Sequence, residues 1–193
     1  MEGLSPPEPL SVRSVVGLHL GEAISRLHPG GSLAVLNRMA ESFREFFNEI
    51  RDHSDHDELL FPGTLEVINE LDQAGILLGI ATGKSRHGLK ETLDRHGLLG
   101  RFVNLKTSDD GPGKPNPTIL LDAIKEVGVT ADNTVMIGDT TYDIAMAVNA
   151  SVNAIGVNWG YHTTSELQAA GAIAMLKCFK DLSDTLHALW GTR

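Results

Sequence analysis

The sequence predicts an α/β protein: a three-layer, Rossmann-like parallel sheet with a helical block on its N-terminal side. After residue 58, short apolar stretches rich in β-branched residues alternate with helical stretches of about ten residues. This alternation is typical of parallel sheets covered by helices on both faces. The preceding region shows helical periodicity alone. We therefore predict a loose N terminus (residues 1–9), a helical block (10–57) and an α/β core (58–193).

The helical block ends in a polar linker. Apolar residues recur at helical spacing between residues 12 and 27, and we expect breaks at Gly17 and Gly21. Ser32 is the expected N-cap of a longer amphipathic helix, because a serine hydroxyl can accept a free N–H at a helix start. The run 51–58 follows, and its three aspartates and two histidines are interpreted as a solvated linker rather than a metal site.

Five apolar stretches of the core are the expected strands, and helices should connect them. The strands are predicted at residues 76–81, 102–105, 134–137, 152–157 and 172–176. The single cysteine, Cys178, follows the last of these stretches and excludes an internal disulfide. We expect Cys178 to lie in the core.

Asp139 and Asp143 are the first candidate site residues. Asp139 follows the predicted strand 134–137, and Asp143 lies one helical turn later, on the same side of the next helix. Two carboxylates that face one crevice repel each other unless a cation lies between them, and oxygen ligands favour magnesium. The structural alternative makes Asp139 a helix N-cap and Asp143 a partner of the helix dipole. The pair alone does not decide between these interpretations.

Two further polar features lie where ligands bind in open α/β sheets, beyond the carboxyl ends of the strands. Thr82 follows a predicted strand, with Gly83 and Lys84 behind it, and this segment can offer a hydroxyl and N–H groups to an anion. Lys114 lies on a proline-restricted loop and can neutralise a phosphate or a carboxylate. Taken alone, Thr82 is better explained as an ordinary helix N-cap. The alternative for Lys114 is a solvated loop lysine.

The combination resembles the haloacid dehalogenase-like (HAD) hydrolases, specifically the phosphoglycolate phosphatase-like branch. The segments 81–84 (Ala-Thr-Gly-Lys), 113–117 (Gly-Lys-Pro-Asn-Pro) and 138–143 (Gly-Asp-Thr-Thr-Tyr-Asp) are similar to the second, third and fourth motifs of that family. The helical block is similar to the family's helical cap, so the likeness spans nearly the whole chain. The resemblance implies Mg²⁺-dependent hydrolysis of small phosphate monoesters through an aspartyl-phosphate.

The resemblance also implies roles for the candidate residues. Thr82 and Lys114 would be catalytic: Thr82 would bind the phosphoryl oxygens, and Lys114 would balance charge between nucleophile and phosphate. Gly83 and Lys84 would help to bind the substrate. Asp139 and Asp143 would hold Mg²⁺. The loop at residues 17–20, within the helical block, is expected to contact the substrate.

The first motif of the family, a strand that ends in Asp-x-Asp-Gly-Thr and supplies the nucleophile, does not occur in this sequence. We expect a chain that starts late by one βα unit, with unpaired edges on the strands that end at Thr82 and Asp139. Without the nucleophile we expect no appreciable phosphatase activity. The alternative is a non-catalytic scaffold that binds Mg²⁺ or phosphate. A receiver-like regulatory domain fits poorly, since no acceptor aspartate ends a strand before Thr82.

The composition argues against several classes of binding partner. The net charge of −9 argues against broad nucleic-acid binding, which needs a basic surface. No apolar run approaches the roughly 20 residues that span a membrane, and the N terminus shows no targeting signal. We therefore expect a cytoplasmic protein whose partner is a small phosphorylated metabolite, with the oligomeric state open.

Overall fold

The structure is a computed structural model that describes residues 4–53 and 58–191, with no side chain described at residues 51–53. In the helical block, three helices follow in chain order: α1 (Pro9–Val15), α2 (Leu20–Leu27) and α3 (Leu33–His53). Helix α1 begins at Pro9, at the end of the predicted loose segment, because the fixed φ of proline suits the first turn of a helix.

Two expected interruptions of the helical block have different outcomes. Gly17 lies between helices with a φ of 98°, a conformation that favours glycine. The break predicted at Gly21 is wrong, since α2 runs through this residue. The N-cap prediction is confirmed, because the Ser32 hydroxyl accepts a hydrogen bond from Val35 N–H at 3.4 Å.

The predicted linker 51–58 is helical in its first part, because α3 continues to His53, and its residues 54–57 lie outside the described residues. Helix α3 has 21 residues but carries charged side chains along its length. No helix in residues 4–53 and 58–191 is both long and apolar enough to span a membrane.

The core alternates helices and strands as predicted. Its elements are α4 (Thr64–Gln73), β1 (Gly79–Ala81), α5 (Arg86–Arg95), β2 (Asn104–Lys106), α6 (Thr118–Val127), β3 (Val135–Gly138), α7 (Thr141–Asn149), β4 (Asn153–Val157), α8 (Thr164–Ala169), β5 (Ala174–Leu176) and α9 (Leu182–Trp190). Each predicted strand is present, although β1 is much shorter than the predicted stretch 76–81.

The strands form two parallel pieces rather than one continuous sheet. One piece pairs β1 with β2, and the other has the order β3–β4–β5. Among the described residues no ladder joins β1 to β3, yet Ala81 of β1 and Met136 of β3 pack against the same apolar cluster. Within residues 4–53 and 58–191, no strand pairs with β1 on its side away from β2 or with β3 on its side away from β4.

Helices cover both faces of the strands. Met136 and Ala154 pack with α6, α7 and α8 on one face, whereas Val135, Ile137 and Ile155 pack with α4 and α9 on the other. This alternation follows from the two-residue period of a strand. Cys178 is exposed, so its predicted core position is wrong. The chain has already left the last strand, β5, at this residue and enters the short turn Phe179–Asp181.

Ser151, which follows α7, has a φ of 57°, the left-handed conformation. Val152 N–H donates to the Ala147 carbonyl at 2.8 Å and closes the helix end. Because a β-carbon is unfavourable in this conformation, Ser151→Gly should raise the free energy of unfolding by about 1 kcal/mol. Urea denaturation measures the change. Ser151→Ala keeps the β-carbon and is the control, and a glycine variant no more stable than the alanine variant would contradict the explanation.

Candidate functional site

Thr82 lies directly after β1, where its main chain is fixed by the neighbouring strand. Its N–H donates to the Lys106 carbonyl at 2.9 Å, and its hydroxyl accepts from Lys84 N–H at 3.2 Å. The N-cap of α5 is Ser85, whose hydroxyl accepts from Gly88 N–H at 3.2 Å. The alternative interpretation of Thr82 as the N-cap of α5 is therefore wrong.

The Lys84 ammonium already has two side-chain partners within the α/β core. It forms an ion pair with Glu58 and donates to the Thr92 hydroxyl at 3.1 Å. Burial would raise the pKa of Glu58, but the hydrogen bonds from Lys84 and Thr92 outweigh it and hold that pKa below its ordinary value. A substrate role for the Lys84 side chain would require breaking this pair, so Lys84 as a substrate ligand stays a prediction.

Lys114 and Asp143 form a buried ion pair. Their side chains are 9% and 6% exposed, and Lys114 Nζ lies 2.5 Å from Asp143 Oδ1. Asp143 Oδ2 accepts from the Thr140 N–H at 3.1 Å and from the Thr140 hydroxyl at 2.7 Å. Each carboxylate oxygen thus has a donor, as a charge at this depth requires.

The structural alternative for the aspartate pair is confirmed only in part. Thr140, not Asp139, is the N-cap of α7, and Thr140 and Asp143 form a capping box. Asp143 therefore stabilises the helix start and pairs with Lys114 at the same time. Asp139 lies just before this cap, is half-buried, and accepts at Oδ2 from Tyr161 N–H at 3.1 Å.

A narrow cleft with a volume of about 10 Å³ lies between the strand ends and the helical block. Its lining residues are His19, Thr82, Gly83, Thr107, Ser108, Pro112, Gly113, Lys114 and Ile119. A β-carbon on Gly113 would lie 2.6 Å from that of His19, so the loop between α1 and α2 packs tightly on the Lys114 loop. The structure thus brings together Thr82, Gly83 and Lys114, and the ion pair links Asp143 to them.

The helical block also contacts the turn that carries the two aspartates. Gly17 lies against Thr140, since a β-carbon there would come within 2.8 Å of the Thr140 hydroxyl oxygen. The Tyr142 hydroxyl donates to the Ser14 carbonyl at 2.8 Å and accepts from Arg26 at 3.0 Å. These contacts hold the helical block beside the predicted metal ligands.

Asp139 and Asp143 fit Mg²⁺ as a partial ligand set. Mg²⁺ commonly takes one or two carboxylates and completes its shell with water and substrate phosphate. Within residues 4–53 and 58–191 no group of three or more His, Cys, Asp and Glu side chains could hold a metal. Since both oxygens of Asp143 already accept hydrogen bonds, Asp139 offers the freer carboxylate. Metal binding at this pair stays a prediction.

Comparisons with known proteins show the family to which the chain belongs. The haloacid dehalogenase-like hydrolase family matches residues 1–157. "Probable phosphatase IndB" of Dickeya dadantii is 33% identical over 183 residues, which cover 93% of this chain and 78% of that protein. A phosphoglycolate phosphatase of Vibrio parahaemolyticus is 30% identical over 169 residues, covering 82% and 72%. A crystal structure of a hydrolase from Pseudomonas syringae superposes with a TM-score of 0.82 at 23% identity, covering 95% and 84%.

The structure thus combines a parallel α/β core with a threonine, a lysine and two carboxylates beyond the strand ends. The chain belongs to the haloacid dehalogenase-like hydrolase family. Its relatives at about 30% identity are phosphatases, which supports HAD-type phosphatase as the class of activity.

Proposed function

We propose that the cleft binds the phosphate group of a small phosphate monoester similar to phosphoglycolate, together with Mg²⁺. The buried Lys114–Asp143 pair beside the Thr82 hydroxyl carries this proposal. Lys114 brings a positive charge to the cleft lining, and its partner Asp143 belongs to the turn that also carries Asp139. An anion and a divalent cation would then occupy adjacent positions, each balancing the charge of the other.

Each residue has a distinct task in this proposal. The Thr82 hydroxyl and Gly83 N–H donate to phosphoryl oxygens, and Lys114 Nζ donates to the same group while it holds Asp143. Asp139 and Asp143 would ligate Mg²⁺, which when bound neutralises the charge on the phosphate. The neighbouring His19 comes from the helical block, so the part of the substrate beyond the phosphate would contact that block.

We further propose that the 193-residue chain binds such a ligand without turning it over. The sequence contains no Asp-x-Asp-Gly-Thr, and the residues that line the cleft include no carboxylate. Hydrolysis through an aspartyl-phosphate needs a carboxylate in line with the phosphorus. A non-catalytic role as a Mg²⁺- or phosphate-binding scaffold rests on the same observation and is the second candidate. The cytoplasmic location and the absence of nucleic-acid and membrane partners stay predictions.

Calorimetry and an activity assay on the same protein test the proposal. Mg²⁺ should bind, and Asp139→Asn should weaken binding by roughly tenfold or more, since changes to outer partners of metal ligands alone reach that size. Asp132→Asn, at an exposed position of the turn before β3, is the matched control. Phosphoglycolate should bind in the presence of Mg²⁺ and release no phosphate above background.

Two results would contradict separate parts of the proposal. Mg²⁺-dependent hydrolysis by the 193-residue chain, abolished by EDTA, would show that the missing-nucleophile argument is wrong. Equal Mg²⁺ binding by the Asp139→Asn and Asp132→Asn variants would remove Asp139 from the metal site.

A further inference from the structure

Two consecutive peptide units hold Asp139 in place. They belong to Gly160, Tyr161 and His162, which follow β4 and are called the clamp segment below. Tyr161 N–H donates to Asp139 Oδ2 at 3.1 Å, and His162 N–H donates to the Asp139 carbonyl at 3.1 Å. A β-carbon at Gly160 would overlap the Asp139 side chain, so glycine is needed for this approach.

The clamp segment also holds the next part of the turn. His162 is 8% exposed, and its Nδ1 accepts from Thr141 N–H at 2.9 Å. The imidazole thereby fixes the main chain two residues after Asp139. Both the carboxylate and the turn that aims it are therefore held by one short segment.

Arg13, in the last turn of α1, binds the same two peptide units from the opposite side. Its Nη2 donates to the Gly160 carbonyl at 2.7 Å and its Nε to the Tyr161 carbonyl at 2.5 Å. The Gly160 carbonyl shares a peptide unit with Tyr161 N–H, and the Tyr161 carbonyl shares one with His162 N–H. Each peptide unit thus accepts from the guanidinium at its oxygen and donates to Asp139 at its nitrogen.

This continuous chain of hydrogen bonds runs from the helical block to a predicted metal ligand. A cation at a carbonyl oxygen polarises the peptide unit and strengthens its N–H as a donor. The fork of the arginine also fixes the relative orientation of the two peptide units, which a lysine point charge cannot do. Arg13 is exposed, so its role does not depend on packing in the core.

We propose that Arg13 is a positioning residue for Asp139: by holding both carbonyls of the clamp segment, docking of the helical block sets the orientation of a metal-binding carboxylate. This inference rests on the proposed function, in which Asp139 ligates Mg²⁺. It makes the metal site depend on a residue outside the α/β core.

Whether removal of Arg13 weakens or strengthens Mg²⁺ binding distinguishes a positioning role from a purely electrostatic one. Removing a positive charge near a cation site should strengthen Mg²⁺ binding if Coulomb repulsion alone acts. If Arg13 positions Asp139, its removal should weaken Mg²⁺ binding instead. The contacts of the helical block at Gly17 and Tyr142 do not involve the Arg13 side chain, so we expect the block to stay docked in the variant.

The test compares Arg13→Gln and Arg13→Lys with the full 193-residue chain. Arg44→Gln, at an exposed position of α3 in the same block, is the matched control. Calorimetry gives the Kd for Mg²⁺, and amide exchange in the metal-free protein reports on the N–H groups of Tyr161 and His162. We expect Arg13→Gln to raise the Kd roughly threefold to tenfold, less than the roughly tenfold to hundredfold effect of changing a direct partner of a ligand, because Arg13 acts through two peptide units. Exchange at both amides should become faster. Arg13→Lys should fall between, and Arg44→Gln should change neither.

The other possible outcomes each test one part of the proposal. Equal or tighter Mg²⁺ binding by Arg13→Gln overturns the inference, as does weaker binding with unchanged exchange at the two amides. If the unmodified chain binds no Mg²⁺, the proposed metal site is wrong. Amide exchange alone then decides whether Arg13 holds the clamp segment. Faster exchange in Arg13→Gln supports the positioning role, and unchanged exchange rejects it. If Arg13→Gln does not fold, Arg13→Lys gives the same comparison.

Discussion

Adding a βα unit whose strand ends in Asp-x-Asp-Gly-Thr before residue 1 should raise Mg²⁺-dependent hydrolysis of phosphoglycolate by roughly a thousandfold or more. Thr82 and Lys114 already lie together at the cleft. The unpaired edges of β1 and β3 offer parallel ladders to an inserted strand, and a strand between them would end beside the cleft. The corresponding unit of the Dickeya dadantii relative is a practical donor.

The amount of released phosphate measures this gain in rate. The control is a variant that differs in a single side-chain group. The same extended chain with its first motif aspartate changed to asparagine keeps the strand but lacks the nucleophile. Activity in the aspartate chain alone would support the proposed chemistry. Equal rates in both chains would show that the added strand contributes only stability, and that hydrolysis does not pass through this carboxylate.

Lys114→Met should lower the free energy of unfolding by about 3–5 kcal/mol in metal-free buffer. Methionine keeps much of the apolar stem but leaves the buried carboxylate of Asp143 without its cation, and an uncompensated buried charge costs about this much. Urea denaturation measures the loss. Lys125→Met, at an exposed lysine of α6, is the control and should change the free energy of unfolding little.

The double variant Lys114→Met/Asp143→Asn shows whether pairing causes the loss. With neither charge left in the interior, it should recover part of the stability that Lys114→Met loses. Mg²⁺ should stabilise the single variant more than the unmodified chain, because the freed oxygen of Asp143 becomes available. A loss below about 1 kcal/mol for Lys114→Met would mean that the pair is solvated rather than buried.

Local pattern was sufficient for the elements of the core. Helix α6 (Thr118–Val127) connects two predicted strands as expected, because its apolar residues recur at helical spacing and a glycine follows its end. Strands β1, β2, β4 and β5 are shorter than their predicted stretches, since a strand extends only where a neighbour supplies hydrogen bonds, whereas β3 keeps the predicted length of four residues. At Gly21 the local signal was misleading. A single glycine weakens a helix by about 1 kcal/mol, and tertiary packing outweighs this cost.

The sequence was sufficient to predict which residues lie near the cleft, but not which contacts they form with each other. Thr82 and Lys114 follow different strands, and the rule that ligands bind beyond strand ends placed them together. The occupation of Lys84 by Glu58 and the hold of Arg13 on the clamp segment join residues far apart in the chain. No periodicity encodes such contacts. Gly160, three residues after the end of β4, was the available signal, since a glycine allows the main chain to approach another group closely.

The division of the strands into two pieces also bears on cooperativity. Side-chain packing and connecting helices, rather than a shared ladder, join β1 and β2 to β3, β4 and β5. Two units linked in this way open with separate free energies, so the part around β1 and α5 can lose its structure while the part around β4 keeps it. If the part around β1 opens first, the proposed phosphate ligand Thr82 is released while the proposed metal ligand Asp139 keeps its place. The two proposed binding functions would then be lost in succession rather than together.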